Sequence, residues 1–161
     1  MNLHSRVSLY PLLLALLAVP AFAQDKGSKR SDMRCSITTS FPANDAKVGA
    51  DGDLKGNAKG MPVGSHLWVL AHRRGLALWW PQAGGEVSVS DNGDWVAFVT
   101  YGENRDQGRQ FEMIAIVVDE PTHADLRKWI SLAEATGRYP GISLPKIHEA
   151  CNVPRVTVTR N

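Results

Sequence analysis

The sequence predicts a mostly β fold in two stacked layers, built from about seven to eight short strands with one inserted helix at about 122–136. Three observations lead there. Short runs rich in Val, Ile, Thr and aromatic residues recur from Cys35 onward, with Gly, Pro, Asn or Asp turn signals every 8 to 12 residues. A tryptophan, Trp68, falls in a run that is apolar on both parities. Only one segment carries helical spacing of apolar residues. Together these describe an immunoglobulin-like β-sandwich, with a small OB-like barrel as the alternative.

In chain order, CSITTSFP reads as an edge strand ended by Pro42. ANDAKVGADGD is a connection, DLKGNA a short strand and GMPVGS a turn. The stretch HLWVLAH, then RRG, then LALWW forms a hairpin candidate whose loop contains Gly75. EVSVS alternates and is followed by DNG, a strong hairpin signal, so DWVAFVTY is its expected partner. YGENRDQGRQ is a polar loop, and FEMIAIVVD is the longest buried-looking strand. In the helix, Leu126, Trp129, Ile130 and Ala133 share a face. Thr122 with Asp125 resembles a capping box, and Gly137 is placed to end the helix. VPRVTVTR supplies the last strand, with Val156 and Val158 on one face.

The chain's beginning predicts export. Arg6, a short apolar run and the A-x-A ending at Ala21 and Ala23 are the parts of a cleaved signal over 1–23, and that run is shorter than the roughly 20 residues a bilayer span requires. Residues 24–34 are a polar, flexible lead-in, and 35–161 form a single domain. Without the leader the chain carries 17 basic and 16 acidic side chains, Arg6 being the leader's one charge. That balance offers no field for nucleic acid or an anionic membrane, so neither binding to nucleic acid nor stable membrane insertion is expected. Lys26 to Arg30 and Arg73-Arg74 read as solvated clusters. Two cysteines in an exported chain predict a Cys35–Cys151 disulfide clamping the first and last strands side by side, in the periplasm or outside the cell.

Chemistry is sparse. No G-x-S-x-G elbow is present, and the glycines fall at turns rather than in a phosphate loop. His66 and His72 share a parity but stand about 20 Å apart on an extended strand, and His123 and His148 lie elsewhere. Asp51-Gly52-Asp53 reads as a turn, without the spaced ligands of a calcium loop. Neither a metal nor a cofactor is expected, and no catalytic residue is assigned. The acids Glu103, Asp106, Glu112, Asp119 and Glu120 cluster near loops, though no spacing forces a pair together.

The tryptophans carry the functional argument. Trp68, Leu70 and His72 face one side of their strand and Leu67, Val69 and Ala71 the other, so Trp68 belongs to a core. Trp79 and Trp80 have opposite parity. One enters the core and the other lies outside, unless the helix covers it. An uncovered indole offers a flat contact to a sugar ring or a protein. The expected binding residues are therefore whichever of Trp79 and Trp80 is exposed, with Gln82, Arg73, Arg74 and Tyr139.

Several short pieces stand in a recognisable order along the chain. They are Ile37 with Pro42, Gly56-Asn57-Ala58, Pro62-Val63-Gly64, Leu67-Trp68-Val69 and Trp80-Pro81-Gln82. Further along come Gly93-Asp94-Trp95, Tyr101-Gly102, Phe111, Tyr139-Pro140-Gly141, Leu144-Pro145 and Val156 to Arg160. In that order they resemble a small extracytoplasmic bacterial domain family of unknown function; the resemblance spans nearly all of 35–160 and implies an immunoglobulin-like fold, with no catalytic residue to carry over. The expected role is an exported binding module for an envelope protein or a cell-wall glycan. The alternative is a small secreted inhibitor or immunity-type protein, using the loop from Tyr101 to Gln110 or the turn from Tyr139 to Pro145. A hydrolase with a spatially assembled site is the third reading.

Overall fold

The computed structural model describes residues 35–161. The leader at 1–23, the lead-in at 24–34 and the basic cluster from Lys26 to Arg30 lie outside the described residues.

Among the described residues, eight strands form two sheets. In the smaller, β1 (Ser36–Phe41), β3 (Asp51–Lys59) and β6 (Asp94–Thr100) lie in the order β1-β3-β6, antiparallel throughout. In the larger, β2 (Ala46–Val48), β8 (Arg155–Arg160), β7 (Gln110–Val118), β4 (His66–Arg73) and β5 (Trp80–Pro81) lie in the order β2-β8-β7-β4-β5. Only β2 and β8 run parallel. The helix α1 (Glu120–Thr136) follows β7.

β4 and β7 explain the layering. They pair from His66↔Val118 to Arg73↔Phe111, and both bury side chains on both faces. Leu67, Val69 and Ala71 join Met113, Ala115 and Val117 in the core between the sheets, facing Ile37, Leu54, Trp95 and Val99 of the smaller sheet. Trp68, Leu70, Ile114, Ile116 and Val118 point the other way and are covered by Leu126 and Ile130 of α1. The parity expected for β4 is thus the observed one, and Trp68 is fully buried under the helix.

Several local expectations are corrected. The connection ANDAKVGADGD holds β2, whose partner β8 lies more than a hundred residues away. Asp51-Gly52-Asp53 opens β3 rather than forming a turn, and β3 is the smaller sheet's central strand. EVSVS forms no ladder with β6: only Val89 bridges to Trp95, and the Val87 N–H donates instead to Leu67 O of β4 at 2.9 Å. The LALWW arm pairs with β4 only through Trp80 and Pro81. The helix starts before Thr122: Asp119 is its N-cap, accepting from the Thr122 N–H at 3.1 Å, and Gly137 ends it at φ 65°.

The disulfide Cys35–Cys151 is present, but it does not clamp neighbouring strands. β1 lies in one sheet and β8 in the other, so the bridge joins the segments that precede them. Asn152 continues the link, accepting from Ile37 N at 2.7 Å and donating to Ile37 O at 2.8 Å. Closing a loop of 116 residues restricts the unfolded chain by about 4–5 kcal/mol.

Gly56 shows how closely the smaller sheet packs. It stands opposite Trp95, and a Cβ there would meet Thr38 O at 1.8 Å and the Trp95 ring at 2.4 Å. Gly56→Ala is therefore expected to cost about 3 kcal/mol or more, since neither backbone nor a buried indole yields easily. Gly52→Ala, with open space around its Cβ, should stay within about 1 kcal/mol of wild type. Urea unfolding of both variants checks this, and equal stabilities would contradict the packing argument.

Candidate functional site

Beside β5 a groove of about 920 Å³ opens. One wall is aromatic. Trp80 sits opposite Ala71, so it points to the inner face of the larger sheet, and it is half-buried. Its Nε1 donates to Tyr139 O at 3.0 Å, while Trp129 Nε1 donates to Pro140 O at 3.1 Å. Tyr139 meets the Trp129 ring edge-to-face, with centroids 6.1 Å apart. Gly141 permits this closeness, since a Cβ there would lie 2.6 Å from Leu78 Cβ and 2.8 Å from the Trp80 ring. Both indoles line the groove, and each N–H is consumed by a backbone carbonyl that sets the ring's orientation.

The opposite wall is charged. Arg73, at the end of β4, donates from Nη1 to Asp106 Oδ1 at 2.5 Å. Asp106 is buried and also accepts the Glu103 N–H at 2.9 Å. Burial works against its charge. The Glu103 N–H, the Arg73 hydrogen bond and the charges of Arg73 and Arg105 outweigh that, holding the carboxyl below its usual range. Gly102, at φ 73°, lies directly over Asp106 and Phe111. Arg105 Nε pairs with Glu103 at 3.1 Å. Both cations in this wall are thereby neutralised by a neighbouring acid.

The expected binding residues divide. Trp80, Gln82, Arg73 and Tyr139 all line the groove. Trp79 does not. It is 8% exposed, lies in the helix-covered layer and stacks on His72 at 4.8 Å. Of the neighbouring indoles, Trp80 is therefore the available one, and neither enters the core between the sheets. Arg74 is exposed and bonded to Gln110 Oε1 at 2.7 Å, away from the groove. Gln82 lines the groove, but its amide is committed as a brace: Oε1 accepts from Thr100 N at 2.8 Å and Nε2 donates to Trp80 O at 3.1 Å. Phe98, 59% exposed, joins the lining and went unnoticed in the sequence. Its signal was a large aromatic on the outward parity of an alternating strand.

A second polar cluster lies at the other end of β4. His66 Nδ1 bonds Glu86 at 2.8 Å, and its Nε2 bonds Glu120 at 2.7 Å. His123, in the first turn of α1, stacks on His66 with centroids 3.7 Å apart. Sequence separation hid this meeting. His66, Glu120 and His123 bring their donor atoms within 4.8 Å of one another. The arrangement is nevertheless poor for an ion. An imidazole ligates through a lone pair in its ring plane, and these planes are nearly parallel, at 16°. Trp68 Nε1 also donates to His123 Nδ1 at 3.2 Å, which places a neutral ring's proton on Nε2. The donor set as folded is an electrostatic latch, tying the start of β4 and Glu86 to the helix.

No protein-family model matches the chain, and no characterised relative is found.

The latch is pH-dependent. Burial disfavours the His66 cation, but hydrogen bonds to Glu86 and Glu120, and their charges, prevail and raise its pKa above 6.5. A raised pKa adds stability that is fully present below 6.5 and disappears as pH climbs through the folded value. Both carboxylates are substantially exposed, so the effect should be modest, about 1 kcal/mol. His66→Gln is expected to be less stable than wild type at pH 6 and to converge with it at pH 9. Urea midpoints at the two pH values check this, and a constant gap would refute the assignment.

Proposed function

We propose that this chain is an exported, non-catalytic binding module of the periplasm or the extracellular space. On this reading the groove beside β5 engages the envelope, through either a protein or a glycan. One observation carries the reading: the groove gathers Trp80, Tyr139, Gln82 and Arg73 from distant parts of the chain and holds its indoles fixed. Fixed aromatic faces bind without paying an ordering cost at the moment of contact. The ionisable groups of the wall are paired with one another, which favours recognition over general acid–base chemistry.

The disulfide supports an oxidising compartment. No helix among the described residues is long and apolar enough to cross a membrane. The strand order supports the immunoglobulin-like resemblance. The first, third and sixth strands correspond to A, B and E of that fold, and the fourth, seventh and eighth to C, F and G. An inhibitor that plugs an enzyme cleft is less well supported, because both loops suited to that task are tied down. Asp106 anchors the loop from Tyr101 to Gln110, and two indoles hold the turn at Tyr139 and Pro140.

Co-sedimentation of the protein with an isolated envelope fraction tests the groove. Replacing Trp80 and Tyr139 together by Ala should reduce retention about tenfold, from two aromatic contacts of about 0.5–1.5 kcal/mol each. Val63→Ala, at a fully exposed and distant position, should change nothing. Unchanged retention of the double variant, with its fold verified by circular dichroism, would exclude the groove as the binding face.

A further inference from the structure

We infer that the groove's ligand is an uncharged saccharide chain. This rests on the reading of the groove as the binding face and deepens it to a ligand class. Three features select the class.

The first is the aromatic wall. Trp80 and Trp129 have no N–H left to give, so they interact through their faces and edges alone. A pyranose ring presents a flat sheet of C–H bonds that matches an indole face, and Phe98 and Tyr139, both more than half exposed, extend the apolar surface. The second is charge. Arg73 is paired with Asp106 and Arg105 with Glu103, so the lining carries two cations and two anions with no net field to attract an ionic polymer. Such pairs still present acceptors and donors side by side. Saccharide hydroxyls, which donate and accept at once, suit them.

The third feature disfavours an extended polypeptide. Peptides commonly bind a sheet by adding a strand to a free edge. Here several backbone groups beside the groove are already occupied. Trp79 exchanges both its hydrogen bonds with Ile142, each at 2.8 Å. Ala83 N donates to Phe98 O at 3.0 Å, and Thr100 N is taken by Gln82. Side-chain faces and paired polar groups remain for recognition. The groove's volume of about 920 Å³ is at the upper end of small-ligand sites, which fits a few linked sugar units rather than one.

Titration calorimetry of the purified, disulfide-bonded protein tests the class. The probes are neutral tetrasaccharides (β-1,4-linked N-acetylglucosamine, β-1,4-glucose and α-1,4-glucose), an α-1,4-galacturonate tetramer, and an acidic and a basic hexapeptide. At least one neutral tetrasaccharide should bind, with a Kd of about 10 μM to 1 mM. Trp80→Ala and Tyr139→Ala should each weaken it about threefold or more, from the loss of one aromatic contact. Raising NaCl from about 50 to 500 mM should change the affinity less than about twofold, because no counterion is displaced. Binding confined to the galacturonate or the peptides, or steep salt dependence, would overturn the saccharide assignment, as would silence from every neutral probe. The sedimentation experiment separates the two levels. Retention that depends on Trp80 and Tyr139 without saccharide binding keeps the groove and removes the ligand class, whereas retention indifferent to them removes both.

Discussion

The fold depends on β4 and β7 being apolar on both faces. A strand pair that buries both sides cannot border water, so it must be covered twice. The smaller sheet covers one side and α1 the other, giving two separate apolar layers around one pair of strands. Trp68 and Trp95 illustrate the division. Both are almost completely buried, yet Trp68 lies beneath the helix and Trp95 between the sheets. The disulfide and Asn152 then fix where the smaller sheet begins relative to the chain's last segment.

The groove follows from unequal covering. The larger sheet has five strands and the smaller three, and β5 lies at the larger sheet's margin. Trp80 faces inward there, where Phe98 and Thr100 of the edge strand β6 contribute to the lining instead of closing a core. The segment after the helix turns back at Gly141 against this margin and receives both indole N–H groups. An aromatic wall therefore arises without a dedicated loop. The constraint that builds the double core also leaves one inward-facing indole short of full burial.

What the sequence made legible was whatever a local period or turn could encode. β1, β4, β7 and β8 follow from alternation or a doubly apolar run, and the end of the helix follows from Gly137. The cysteine pair followed from compartment and count. What escaped was set by distant partners. β2 is three residues long and exists because β8 runs beside it. EVSVS alternates like a strand, but its Val87 N–H is taken by Leu67 O of β4 and only Val89 bridges to β6. Thr122 and Asp125 imitate a cap, while Pro121 and the accepting Asp119 place the true start earlier. At the site, Trp80 and Tyr139 were visible as residues of the right type. The pairing of Arg73 with Asp106, and of His66 with Glu86 and Glu120, needed the tertiary fold.

The two polar clusters sit at opposite ends of β4, His66 opening it and Arg73 closing it. At about 3.3 Å per residue they are separated by more than 20 Å, well beyond the roughly 8–10 Å over which exposed charges interact in physiological salt. Protonation of His66 therefore changes the attachment of the helix start to the sheet without altering the field at the groove. Of the two acids in the groove, Asp106 has its carboxyl held below the usual carboxylate range by its backbone and guanidinium partners. On the proposed reading, recognition at the groove is thus decoupled from the titration of His66.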